Sequence, residues 1–181
     1  MSLKLRVAFV VATLMSGAAF AADGAVDPCT KFTWDVTHEL AVFKGTPKSV
    51  TAGAKAGKDA PELKVDQVYE LKLANQSGVS FALQPGKPTL PDNAQAGVVR
   101  FHTDKAGRYR VGITSGHWID VVDGDKLIRS RDFQGARGCE RPHKIVEYEL
   151  PAGRDLTLQF SGATDAKVVV AVTAVAGSPA S

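Results

Sequence analysis

From Gln67 onward apolar and polar residues alternate with a period of two, most clearly over residues 97–128, GVVRFHTDKAGRYRVGITSGHWIDVVDGDKLI. Within Gly107 to Ile113, Tyr109, Val111 and Ile113 fall on one face of an extended strand and Arg108, Arg110 and Gly112 on the other, the pattern of a half-buried strand. Trp118 to Asp123 reads as a second strand. Asp104-Lys105-Ala106-Gly107 and Asp123-Gly124-Asp125 read as turns, since Asp-Gly between two apolar runs is a strong hairpin signal. Nine short strands are predicted in all: Gln67 to Ala74, Val79 to Leu83, Gly97 to Thr103, Gly107 to Thr114, Trp118 to Val122, Lys126 to Ser130, Lys144 to Leu150, Asp155 to Ser161 and Lys167 to Val175. Short strands with Gly/Pro punctuation and no βαβ alternation predict an all-β fold, an antiparallel β-sandwich of the jelly-roll kind.

One stretch departs from this period. In CTKFTWDVTHELAVFKG, Phe32, Val36, Leu40 and Phe43 recur at three and four residues, and Gly45 and Pro47 follow as stop signals. This predicts one short N-terminal helix over about 31–44, capped by Thr30 or Thr33, with Glu39 facing outward, packed across one end of a sheet. Thr51 to Pro61 is a small, polar connection. Gln84 to Ala96 and Asp132 to His143 are longer than hairpins need. Loops of that length carry function more often than hairpins do, although a Greek-key crossover is the better explanation of the first.

The first residues change the compartment. Lys4 and Arg6 precede the apolar run Val7 to Met15, and Ala19-Phe20-Ala21 is a small-x-small cleavage site, so residues 1–21 read as a secretory signal peptide. Residues 22–175 then form a single β-sandwich domain and 176–181 a flexible tail. The chain carries 22 Lys and Arg against 19 Asp and Glu; loss of Lys4 and Arg6 leaves 20 against 19, close to neutral. No basic stripe with interleaved aromatics appears, which argues against nucleic acid as a partner, and no later stretch is apolar enough to span a membrane. In an oxidising compartment the two cysteines, Cys29 and Cys139, are expected to form one disulfide.

Candidate chemistry is sparse. His117, His143 and a carboxylate such as Glu39 or Asp120 would suit Fe(II), Cu(II) or Zn(II) if the disulfide brought the helix beside the 132–143 loop. Sequence spacing does not enforce that meeting, capping and surface roles explain the histidines more simply, and no cofactor is assigned. Ser115 stands two residues before His117 without a Gly-x-Ser-x-Gly elbow. Asp120, Asp123 and Asp125 lack the register of an EF-hand and read as a hairpin turn. The better lead is aromatic and cationic. Most aromatics belong to the core, with alternation reading Tyr109 and Trp118 as buried, yet exposed members among Trp34, Trp118, Phe101, Phe133, Tyr109 and Tyr148 would suit a sugar ring or peptide. Arg131, Phe133, Arg137, Arg141 and His143 surround the expected bridge, and arginine clusters recognise carboxylates and phosphates. With Trp118 they are the expected ligand contacts, for a small molecule, a glycan or another exported protein.

Two resemblances add to this reading. AGRYRVGITSGHWIDVVDGDKLI, the strand ending ELPAGRDLTLQFSGA and the closing KVVVAVTAV resemble the β-sandwich domains of the pre-peptidase C-terminal type found on secreted bacterial peptidases. That resemblance covers residues 97–175 and implies a sandwich with a binding role. CTKFTWDVTHEL and FQGARGCERPHKIVEYELPAG are similar to a group of proteobacterial exported proteins, some of which carry the name homogentisate 1,2-dioxygenase. The name implies a metal-dependent dioxygenase with a two-His-one-carboxylate iron site. The present chain departs from that family's much longer cupin-type chain in length and in lacking a clustered His-x-Glu/His-x-His motif.

Overall fold

The computed structural model describes residues 26–87 and 91–177. The signal-peptide expectation for residues 1–21 lies outside the described residues, as do residues 178–181 of the expected tail.

Twelve strands follow in chain order: β1 Lys48–Thr51, β2 Glu62–Leu63, β3 Val68–Lys72, β4 Ala74–Asn75, β5 Gln95–Thr103, β6 Gly107–Ile113, β7 Trp118–Asp123, β8 Lys126–Ile128, β9 Ser130–Gly135, β10 Lys144–Leu150, β11 Arg154–Ala163 and β12 Lys167–Ala174. They form two sheets, the first in the order β1-β3-β12-β6-β10-β9 and the second in the order β2-β5-β11-β7-β8, with β4 also paired to β5. The all-β sandwich expected from the alternation is what forms. Its pairings are antiparallel except at two margins, where β1 lies parallel to β3 and β2 parallel to β5.

Period-two alternation places the core. Tyr109, Val111 and Ile113 of β6, Val146, Tyr148 and Leu150 of β10, and Val168, Val170 and Val172 of β12 meet Val99 and Phe101 of β5, Ile119 and Val121 of β7, and Leu156, Leu158 and Phe160 of β11. Burying each of the larger apolar side chains contributes roughly 1.5–3 kcal/mol. The expected turns fall where they were read: Thr103 and Gly107 flank the first, and Asp123 pairs with Lys126 across the second. That tight turn needs Gly124, whose φ is +60°.

Several elements differ from expectation. The helix, α1, spans Thr37–Phe43 and not 31–44; a separate 3₁₀ turn occupies Pro28–Lys31. Gln134 Oε1 accepts the Thr33 N–H at 2.8 Å and the Trp34 N–H at 3.4 Å. Asp35 Oδ1 accepts the Thr37 N–H at 3.0 Å, which sets the start of α1. The helix lies on the outer face of the first sheet, where Phe43 packs with Val68 and Ala171. There Gly112 allows close approach, since a Cβ on it would come within 2.8 Å of Phe43 Cε2. Residues 79–83 form no strand, only an isolated bridge from Ser80 to Lys55. The segment instead lies against Gln159, which takes the Ala82 N–H and donates to the Leu83 carbonyl. The first part of the expected 132–143 loop is strand β9.

Cys29 and Cys139 form the expected disulfide. The bridge sits in a satellite cluster with Phe32, Val36, Ala136 and Ile145, which ties the N-terminal segment to the connection between β9 and β10.

Candidate functional site

The outer face of the first sheet carries a buried ionic cluster. Arg110 Nε donates to Glu147 Oε2 at 2.9 Å, and its Nη1 donates to Glu39 Oε1 at 3.2 Å and to the Asp35 carbonyl at 2.8 Å. The guanidinium carbon stands 4.7 Å from the centroid of the Trp34 ring. Glu39 also accepts from Thr173 Oγ1 at 3.4 Å. Contrary to the outward position expected of it, Glu39 is buried, because it shares the inward stripe of α1 with Phe43. Every strong acceptor here has a donor, so the cluster docks α1 and the Trp34 segment onto the sheet.

The opposite, inner face of the same sheet ends in a groove. On β9 and β10 the register runs Val146 to Phe133 and Glu147 to Asp132, but Tyr148 pairs with Ser130, which leaves Arg131 as the extra residue of a β-bulge. Phe133 thereby lies on the side of Val146 and Tyr148. In the second sheet β8 has only three residues and pairs with Val121 to Asp123, so it stops short of Trp118, Ile119 and Asp120. The sandwich stays open between β7 and β9. The opening is a groove of about 190 Å³ lined by Trp118, Ile119, Ser130, Phe133, Lys144, Val146 and Tyr148.

Two large aromatics flank this groove in solvent: Trp118 is 43% exposed and Phe133 66%. The core position expected for Trp118 is therefore corrected. As the first residue of β7 it belongs to the alternate set with Asp120, while Ile119 and Val121 face the core. Its indole is held in place, with Nε1 donating to Asp120 Oδ1 at 2.8 Å while Asp120 Oδ2 accepts the Gly86 N–H at 3.1 Å. Tyr148 donates to the Ile119 carbonyl at 3.2 Å, and burial pushes its phenol far above the ordinary tyrosine range.

Among the described residues Lys144 is the one charged residue lining the groove. Its Nζ donates to the His117 carbonyl at 2.6 Å, and no acid pairs with it among the described residues. Burial, then the nearby charge of Lys87, lowers the pKa of its ammonium from the ordinary lysine value. His117 behind it is fully buried. Its Nδ1 lies 2.6 Å from Ser115 Oγ and its Nε2 has no hydrogen-bond partner among the described residues. Burial lowers its pKa, opposed by Asp165 and by the nearby Gln95 backbone, which falls short of hydrogen-bond geometry at Nε2, and reinforced by the charges of Lys144 and Lys87.

The remaining expected contacts disperse. Arg131, on the bulge, reaches Glu149 Oε2 at 3.3 Å and Glu147 Oε1 at 4.0 Å on the outer side. Arg137 and Arg141 are exposed on the connection, where the Arg137 carbonyl accepts from Lys31 Nζ, and His143 is exposed beside them. Among the contacts named from sequence, the groove gathers Trp118 and Phe133. The set His117, His143 and Glu39 is not gathered: Glu39 is held by Arg110 on the outer face, and His117 is sealed at the end of the sandwich. Among the described residues no three His, Cys, Asp or Glu side chains are placed to hold a metal ion. Lys144 was missed from sequence, although it shares its alternate positions with Val146, Tyr148 and Leu150 and so marks a cation on a core-facing row.

A larger hollow of about 510 Å³ is bounded by Asp66, His102, Asp104, Lys105, Arg108 and Tyr109 among others. Its histidine and acids are already engaged: His102 contacts Asp155 at 2.7 Å and Asp104 at 3.7 Å, and Asp66 contacts His38 at 2.7 Å. No helix among the described residues is long and apolar enough to cross a membrane. No protein-family model matches the chain, and no curated protein is significantly similar to it.

Proposed function

We propose that this chain is an exported, disulfide-stapled β-sandwich that acts by binding a small ligand in the groove between β7 and β9, without catalysing a reaction. One observation carries the reading: two large aromatics from different sheets, Trp118 and Phe133, stand in solvent on the two sides of an open, mostly apolar groove. Exposed aromatics around a concave apolar patch are the usual mark of a ligand surface. The disulfide fits an oxidising compartment, the periplasm or the exterior, and the resemblance of residues 97–175 to the pre-peptidase C-terminal sandwiches points to the same kind of role.

The test is a fragment mixture titrated into labelled protein and followed by backbone amide NMR. Shifts should cluster on Trp118, Ile119, Ser130, Phe133, Lys144 and Val146, and Phe133→Ser should weaken binding about tenfold. Shifts scattered over the surface, or confined to the Arg137 to His143 connection, would refute the groove as the binding site.

A further inference from the structure

We propose that the groove is built for a small carboxylate with a single-ring apolar body, its anionic head held by Lys144 Nζ and its body lying between Trp118 and Phe133. This rests on the groove being the binding site and adds the class of ligand. The argument starts from charge. An ammonium carries three N–H donors, and Lys144 gives one to the His117 carbonyl; no acid among the described residues takes another. Lys144 is half-buried, and a cation partly withdrawn from water without a counter-ion carries a cost that a ligand carboxylate on the groove side would offset. Lys87, close enough to disfavour the charged form of Lys144, adds positive potential at the same place. The carboxylate of Asp120 is already occupied by the Trp118 indole and the Gly86 amide.

The rest of the lining decides the body of the ligand. Besides Lys144 and Trp118, the side chains that can hydrogen-bond are Ser130 and Tyr148, and the Tyr148 hydroxyl is engaged by Ile119. Among the described residues no lining carboxylate or amide side chain is present to take up the several hydroxyls of a sugar, so a glycan would leave its polar groups unpaired. The volume of about 190 Å³ is close to that of cavities that hold one benzene ring, and well below a drug-sized pocket. An added peptide strand is disfavoured as well, because the Phe133 N–H on edge strand β9 is taken by Asp132 Oδ1 at 2.8 Å.

The experiment uses 3-phenylpropionate as the probe and 3-phenylpropanamide as its neutral counterpart, titrated by NMR into the wild type, Lys144→Met and Lys144→Arg at neutral pH. The expected result is that the acid binds the wild type at least tenfold more tightly than the amide, with shifts on Phe133, Lys144 and Val146. Lys144→Met should abolish the preference while leaving the amide within twofold, Lys144→Arg should keep part of it, and the preference should shrink as salt rises. Acid and amide binding equally in the groove would overturn the anionic ligand and leave the groove reading intact. A preference that survives in Lys144→Met would overturn the role of Lys144. No groove shifts with either probe would overturn the proposal, and the fragment mixture then decides whether the groove reading falls with it.

Discussion

Arg110 and Lys144 are cations on neighbouring strands of one sheet and on its opposite faces, Arg110 buried and Lys144 half-buried, and they are treated differently. Arg110 is enclosed by two carboxylates, a carbonyl and the Trp34 ring. Lys144 has a single carbonyl and an open groove. A fully paired buried cation anchors structure, here by docking α1 and the Trp34 segment onto β6. A cation without an acid is better suited to a partner that comes from outside.

The strongest challenge to the comparison is to loosen the N-terminal segment as a whole. Cys29→Ser opens a closure spanning 110 residues and should cost about 4 to 5 kcal/mol in the chain-entropy limit, read as a lowered urea midpoint with one free thiol appearing. Next come the two cations themselves. Arg110→Met takes from Glu39 its charged partner and from Glu147 its nearest one, and should cost roughly 3–5 kcal/mol, whereas Lys144→Met should change stability by no more than about 1 kcal/mol in either direction, because no acid is left behind. Equal losses in the two variants would erase the distinction between anchor and site.

The smallest effect is on pH dependence. Burial holds the pKa of His117 below its unfolded value, so the unfolded chain binds the proton more readily. Its stabilising contribution is complete above about pH 6.5 and is lost as pH falls from there toward the folded pKa. His102 works in the opposite sense: its hydrogen bond to Asp155 raises its pKa, and its contribution fades as pH rises through that value. His117→Gln should therefore flatten the loss of melting temperature on the acid side of pH 6.5, and His102→Gln should not. An unchanged acid limb in His117→Gln would show that this imidazole does not titrate on unfolding.

Much of this was legible in the residues. Strict alternation in Tyr109, Val111 and Ile113 gave the core face of β6, and Asp123-Gly124-Asp125 gave the β7–β8 hairpin. The apolar spacing from Phe32 suggests a longer helix than forms, because it continues through a segment whose backbone donors go to Gln134, a side chain 101 residues from Thr33. Glu39 carries a signal against an outward position: it lies three residues after Val36 and four before Phe43, on the apolar stripe, so an acid there demands a buried partner. The separation of Arg131 from Phe133 depends on a bulge, and nothing in Ser130 to Gly135 announces one. The groove depends on β8 ending after three residues, which only the packing of two sheets reveals.

The strand order also sets a schedule. In the first sheet β12 joins the pair β1-β3 to β6-β10-β9, and in the second β11 joins β2-β5 to β7-β8. The two joining strands are the last two of the described strands in chain order. The second sheet therefore lacks the strand that joins its halves until residue 163 has been made, and the first sheet until residue 174, so neither sheet can close around its early strands alone.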